Sequence, residues 1–189
     1  MAVQTESIVR PRHELSVGHI EAIWSQAQDQ LVQEFYRAQG DANVPTIVRN
    51  LLPSDLNESN NIWAETVTGT GSAYQDSQVA GQNIPDDTAI CLFGLVDTSD
   101  PQAVTQLRIT SGQGVRAIWD LFPIIGSSPT ITGGLECRTM YAVTPIIITQ
   151  NMNIKIEYYV RPFSPQVIRG TEIAILGLVA EKVGKNIQP

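Results

Sequence analysis

Asn153-Ile154-Lys155-Ile156-Glu157-Tyr158-Tyr159-Val160 decides the fold class. Ile154, Ile156, Tyr158 and Val160 alternate with Asn153, Lys155, Glu157 and Tyr159. That period of two describes a strand with one face on a core and the other in water. Outward from this stretch the chain is a series of short Ile-, Val- and Thr-rich runs. Gly, Pro, Asn and Asp break them at intervals of roughly ten residues, as an all-β sandwich requires. The spacing predicts strands over 62–68, 89–96, 104–110, 115–121, 135–143, 146–149, 153–160 and 173–183, the last covered on both faces. Eight strands is the number of a jelly roll.

Upstream of residue 62 the period changes. Ile20, Ile23, Trp24, Ala27, Leu31, Phe35 and Ala38 recur at steps of three and four, predicting an amphipathic helix with Ser16 as N-cap and Gly40 as its stop. At 1.5 Å per residue, about 22 residues make a helix of roughly 33 Å. Residues 1–12 read as an arm. Residues 41–61, with Pro45, Pro53 and the polar run from Ser54 to Asn61, read as a linker. The expected fold is therefore mainly β, a jelly-roll-like β-sandwich over 62–189. It is preceded by an N-terminal arm and long amphipathic helix over 1–40 and by a linker over 41–61.

Composition narrows function. The chain has 189 residues, 42% of them hydrophobic and 16% charged, which suits one sizeable core plus an extension. No uncharged apolar run approaches the roughly 20 residues that cross a bilayer, so no membrane role is expected. Nineteen acidic against twelve basic residues give a net charge of -7, and Lys155, Lys182 and Lys185 are the only lysines. A nucleic-acid partner is therefore not expected. Met1 to Glu6 shows no basic stretch followed by an apolar block, which predicts no signal peptide and synthesis in a cytoplasm.

The search for chemistry returns little. Gly112-Gln113-Gly114-Val115-Arg116-Ala117 fits a dinucleotide-binding fingerprint, but that needs a helix from the second glycine, and Pro123 stops one within about nine residues. A hairpin turn explains these glycines better. His13 and His19, the two histidines, flank the start of the helix and read as capping or solvent-exposed groups. Asp86-Asp87 and Asp97-Thr98-Ser99-Asp100 offer oxygens to a calcium ion but lack the order of a calcium loop, so they read as turns. Cys91 and Cys137 read as buried thiols, with a disulfide the other reading. No catalytic residue, cofactor or metal ligand is expected. Trp63, Trp119, Tyr74 and Tyr141 are the residues that would line a sugar-stacking platform.

The helix stripe, with Trp24, Leu31 and Phe35, has to be buried somewhere, since each such side chain gains about 1.5–3 kcal/mol by burial. It can lie on its own sandwich or against another protein. The arm, the helix and the closing strands Thr144-Pro145-Ile146-Ile147-Ile148-Thr149-Gln150 and Thr171-Glu172-Ile173-Ala174-Ile175-Leu176-Gly177-Leu178-Val179 together resemble the cement, or decoration, proteins of tailed bacteriophage capsids. The resemblance is one of layout and spans the whole chain. It implies a non-enzymatic virion protein that binds the outside of the capsid as a dimer or trimer, with the major capsid protein and itself as partners. Ile20, Trp24, Leu31 and Phe35 are then the expected oligomer or capsid contacts, and the extended Arg161-Pro162-Phe163-Ser164-Pro165 a further contact loop. A carbohydrate-binding sandwich is the main alternative, and a tail, neck or coat subunit another.

Overall fold

The computed structural model describes residues 8–56, 63–68, 73–100, 102–112, 114–124, 138–162 and 168–184. Among them are β1 (Val9–Pro11), α1 (Val17–Gln39), β2 (Thr46–Asn50), β3 (Ala64–Thr68), β4 (Tyr74–Asn83), β5 (Thr88–Asp97), β6 (Val104–Ser111), β7 (Gly114–Asp120), β8 (Thr139–Thr149), β9 (Asn153–Val160) and β10 (Ile168–Lys182). Among the described residues the strands form two antiparallel sheets. The larger runs β1-β8-β5-β10-β2, with β3 pairing farther along β10, and the smaller runs β4-β9-β6-β7. The chain is mainly β, and the two sheets with one helix fit a sandwich.

The pairing is nested. β6 pairs with β7, β5 with β8, β4 with β9 and β2 with β10, so each successive pair encloses the one before. Ile154, Ile156, Tyr158 and Val160 of β9 lie in a core shared with Leu107 and Ile109 of β6, Ile90 and Leu92 of β5, and Ile175 and Val179 of β10. This core lies between the sheets. A second apolar layer joins Ile23, Ala27, Leu31 and Phe35 of α1 to Ala89, Cys91 and Phe93 of β5 and Leu178 and Ala180 of β10. The helix therefore covers the outer face of the larger sheet, and β5 and β10 are buried on both faces. That is why their sequences lose the polar half of the strand alternation.

A bulge keeps both layers of β5 filled. Gly94 pairs with Leu176 and Leu92 with Gly177, which leaves Phe93 as the extra residue. Ile90 and Leu92 face the sandwich core, Phe93 faces the helix, and the added residue returns Leu95 to the core. The backbones approach closely here. A Cβ on Gly94 would lie 2.5 Å from the Met140 carbonyl oxygen, and one on Gly177 would lie 2.6 Å from that of Cys91.

Three features depart from the sequence-based expectation. The segment 41–61, read as a linker, carries β2, whose Val48 and Arg49 pair with Ala180 and Val179 of β10. Arg49 fixes it there through Asp55 at 2.6 Å and Glu181 at 3.1 Å. Part of the segment read as an arm is a sheet strand: Val9 to Pro11 pair with Ala142 to Met140 on the edge of β8, a place where proline's missing N–H is tolerated. The two strands expected at 135–143 and 146–149 are one strand, β8, across Pro145. The proline falls in an irregular stretch, where the pairing steps from Ile146 opposite Leu92 to Tyr141 opposite Gly94. Residues 1–7, 135–137 and 163–167, which belong to the expected arm, strand and contact loop, lie outside the described residues, as does Gln113.

Candidate functional site

The helix forms where its caps place it. The Ser16 hydroxyl accepts the His19 backbone N–H at 3.3 Å and lies 3.0 Å from His19 Nδ1, and Gly40 ends the helix in the left-handed region at φ 70°. His19 is thereby engaged at the cap, and His13 is exposed in the preceding 3-10 turn. At the other end Gln150 joins three elements. Its side-chain N–H donates to the Ala38 carbonyl at 3.2 Å, and its oxygen accepts from Gln39 at 3.0 Å and from the Asp87 N–H at 2.8 Å.

These anchors settle where the apolar stripe goes. Leu31 and Phe35 have no exposed surface and pack against the chain's own larger sheet, Their partner surface is supplied in cis by β5 and β10, both rich in apolar residues on that side. Trp24 meets Phe93 edge-on at 4.6 Å between ring centroids and stays half-buried, as does Ile20.

The outer face of the smaller sheet has no helix over it among the described residues and carries a charged ladder. Arg108 of β6 donates to both Glu157 oxygens of β9 at 2.7 and 2.8 Å. Lys155 pairs with Asp76 of β4 at 2.8 Å and with Glu157 at 3.1 Å. Arg108 lies 3.9 Å above the Tyr74 ring, Tyr74 meets Tyr159 edge-on at 5.6 Å, and the Tyr74 hydroxyl donates to Gln106 at 2.8 Å. Hydrogen bonds from Arg108, opposed by burial and aided by Lys155, hold the Glu157 carboxyl below its usual range. Bonds to Asp76 first, and then to Glu157, raise the Lys155 ammonium. Each charge on this face meets an opposite one, so the ladder is electrostatically closed and has no nucleophile or base poised for reaction.

The expected sugar platform does not assemble. Trp119 is fully buried, Trp63 packs against the core, and Tyr141 belongs to the helix layer. Tyr74, in the charged ladder, is thus separated from the other three.

At one end of the sandwich Ala64, Glu65, Thr66, Thr98, Ser99, Asp100, Gly170, Thr171 and Glu172 line an open depression of about 430 Å³. Beneath it lies a polar knot. Asp97 accepts the Ser99 N–H at 2.9 Å and the Gln102 amide at 3.0 Å. Ser99 Oγ contacts Thr171 Oγ1 at 2.9 Å and accepts the Glu172 N–H at 2.8 Å. Arg138 donates to the Ser99 carbonyl at 2.6 Å. Burial pushes the carboxyls of Asp97 and Glu65 up. Both oxygens of Asp97 are thus occupied in holding the turn between β5 and β6. Asp87, at φ 56°, likewise serves a turn. Among the described residues no three His, Cys, Asp or Glu side chains are grouped to hold a metal ion.

The remaining motifs fall into structural places. Gly112, at φ 65°, and Gly114 belong to the β6–β7 hairpin, with Ser111 pairing Gly114. Cys91 is a buried free thiol whose pKa burial pushes up to about 12, while Cys137 lies outside the described residues. No described helix is long and apolar enough to cross a membrane. No protein-family model matches the chain, and no curated protein matches it significantly.

Sequence reasoning missed the charged ladder because its partners are far apart in the chain: Arg108 and Glu157 are 49 residues apart. The one readable sign was Lys155 and Glu157 on the same side of the alternating strand.

Proposed function

We propose that the chain is a non-enzymatic structural subunit of a virus shell, that its sandwich is a jelly roll, and that it acts as a cement or decoration protein on the outside of a phage capsid. The observation that carries this is the nested order of β2/β10, β4/β9, β5/β8 and β6/β7. Setting aside β1 and β3, it divides into two four-stranded orders, β2-β10-β5-β8 and β4-β9-β6-β7. This is a hairpin wound up on itself, the arrangement of a jelly roll, which recurs in viral capsid and lectin domains. The warrant from fold to role is an analogy at the level of architecture. The burial of Trp63 and Trp119 counts against the lectin branch.

In this role no catalysis is needed. Several subunit contacts linked through one oligomer make dissociation from the shell slow, and the acidic balance disfavours the packaged nucleic acid as the partner. The partners are further copies of the chain and a major capsid protein, and the place of action is the capsid exterior. The same strand order also favours a second reading, a coat subunit of the shell itself.

Electron microscopy of the purified full chain, with co-sedimentation against empty capsids of the phage that encodes it, tests the proposal. A cement subunit gives a discrete small oligomer that sediments with capsids, whereas a coat subunit grows into closed shells on its own. Absence of both, with a glycan-array signal lost in Tyr74→Ala, would overturn the shell reading in favour of sugar binding.

A further inference from the structure

We propose that the free edge of β7 pairs with the same edge of a second copy, antiparallel about a two-fold axis at Ile118, joining two smaller sheets into one. Among the described residues β7 ends the order β4-β9-β6-β7. The Leu121 N–H donates to the Thr105 carbonyl at 2.9 Å, and Trp119 pairs with Leu107 in the same phase. In an antiparallel ladder this alternation turns the N–H and C=O of Trp119 toward β6 and those of Ile118 and Asp120 to the open side. Edges are commonly blunted by proline or lysine. From Gly114 to Asp120 there is neither, and the register step that leaves Arg116 as an extra residue is the edge's one irregularity.

The exposed side chains of this strand match their own two-fold image. They are Gly114, Arg116, Ile118 at 39% exposure and Asp120, with Phe122 at 72% just beyond. An axis at Ile118 sets Ile118 against its copy, Arg116 opposite Asp120 twice, and Gly114 opposite Phe122 twice. The charges are complementary, and an aromatic ring lies over a glycine, a pairing that stabilises strand edges. Neighbouring registers lose this match. An axis at Ala117 sets Arg116 against Ile118, one at Trp119 sets Asp120 against Ile118, and one at Asp120 sets two carboxylates face to face. The occupant is therefore a second copy of this chain. The pairing does not depend on the shell reading, because it would hold for a subunit in any role.

Light scattering of the full chain across a range of concentrations reads the result. The expected mass for the wild type is twice 20.7 kDa. Arg116→Asp and Asp120→Arg, each placing like charges opposite one another, should each raise the dissociation constant at least tenfold, and the double swap should restore the dimer. Circular dichroism checks that the variants keep their sheets. Ile118→Cys supplies a second measurement without disturbing charge: paired strands bring its Cα to about 5.5 Å from its copy, within disulfide reach. A disulfide-linked dimer should form in Ile118→Cys and not in Arg37→Cys on the exposed side of α1. A monomer at every concentration overturns the proposal. So does an oligomer whose mass both single reversals leave unchanged, or equal cross-linking of the two cysteine variants.

Discussion

Phe35→Ala separates a helix that stabilises its own sandwich from one that binds a neighbour. Phe35 has no exposed surface and lies in the layer between α1 and the larger sheet, with Leu31, Ala27 and Phe93 in the same cluster. Removing its ring takes away that burial and leaves a cavity that the covalently continuous helix and sheet cannot fully close. Such truncations cost about 3–5 kcal/mol. For a chain of this size 1 kcal/mol corresponds to about 2–4 °C, so the melting temperature should fall by about 6–20 °C. Urea unfolding followed by tryptophan fluorescence measures the loss, and light scattering on the same samples measures the mass. The cis packing predicts a large shift in the urea midpoint with the mass unchanged below the transition. A loss under about 1 kcal/mol together with a change of oligomeric state would refute it, because a ring that anchors a partner leaves that signature.

Two further predictions follow from the strand contacts. Gly94→Ala brings a methyl group to 2.5 Å from the Met140 carbonyl oxygen, backbone against backbone. The bulge must shift, and a destabilisation of at least about 2 kcal/mol is expected; a calorimetric scan matching wild type would show that β5 and β8 can separate freely. Glu157 has a folded pKa below its unfolded value, so its contribution to stability is present above the ordinary carboxylate range and is lost as pH falls through the lowered value. Urea midpoints for Glu157→Gln should therefore decline less than wild type between about pH 5 and pH 2, and parallel profiles would remove the ladder from the acid response.

Legibility from sequence followed burial. β9 and β10 were readable because each has an apolar face on the core, and α1 because Ser16 and Gly40 mark its ends and its stripe holds a helical period. β4 was missed because Tyr74-Gln75-Asp76-Ser77-Gln78-Val79-Ala80-Gly81-Gln82-Asn83 buries little beyond Ser77 and Val79. Its place comes from its pairing with β9, which no local pattern records. β2 was obscured by the prolines on either side of Ile47 and Val48, and its strand character depends on β10, more than 120 residues away. At the level of the site, the stripe's need for burial was visible, but whether the covering surface belonged to the same chain was not. The answer lay in Phe93 facing the helix, which takes a bulge to produce.

β10 stands between β5 and β2 in the larger sheet, and it also carries β3. As the chain leaves a ribosome, α1, β2, β3 and β5 emerge long before the strand they assemble on. Pairings such as Arg49 with Val179 close loops that span most of the chain, which makes folding slow and leaves β5 and the helix stripe uncovered meanwhile. The nascent protein thus completes its architecture only after synthesis is nearly finished. Its period of greatest vulnerability to aggregation is the interval before residues 168–182 are released.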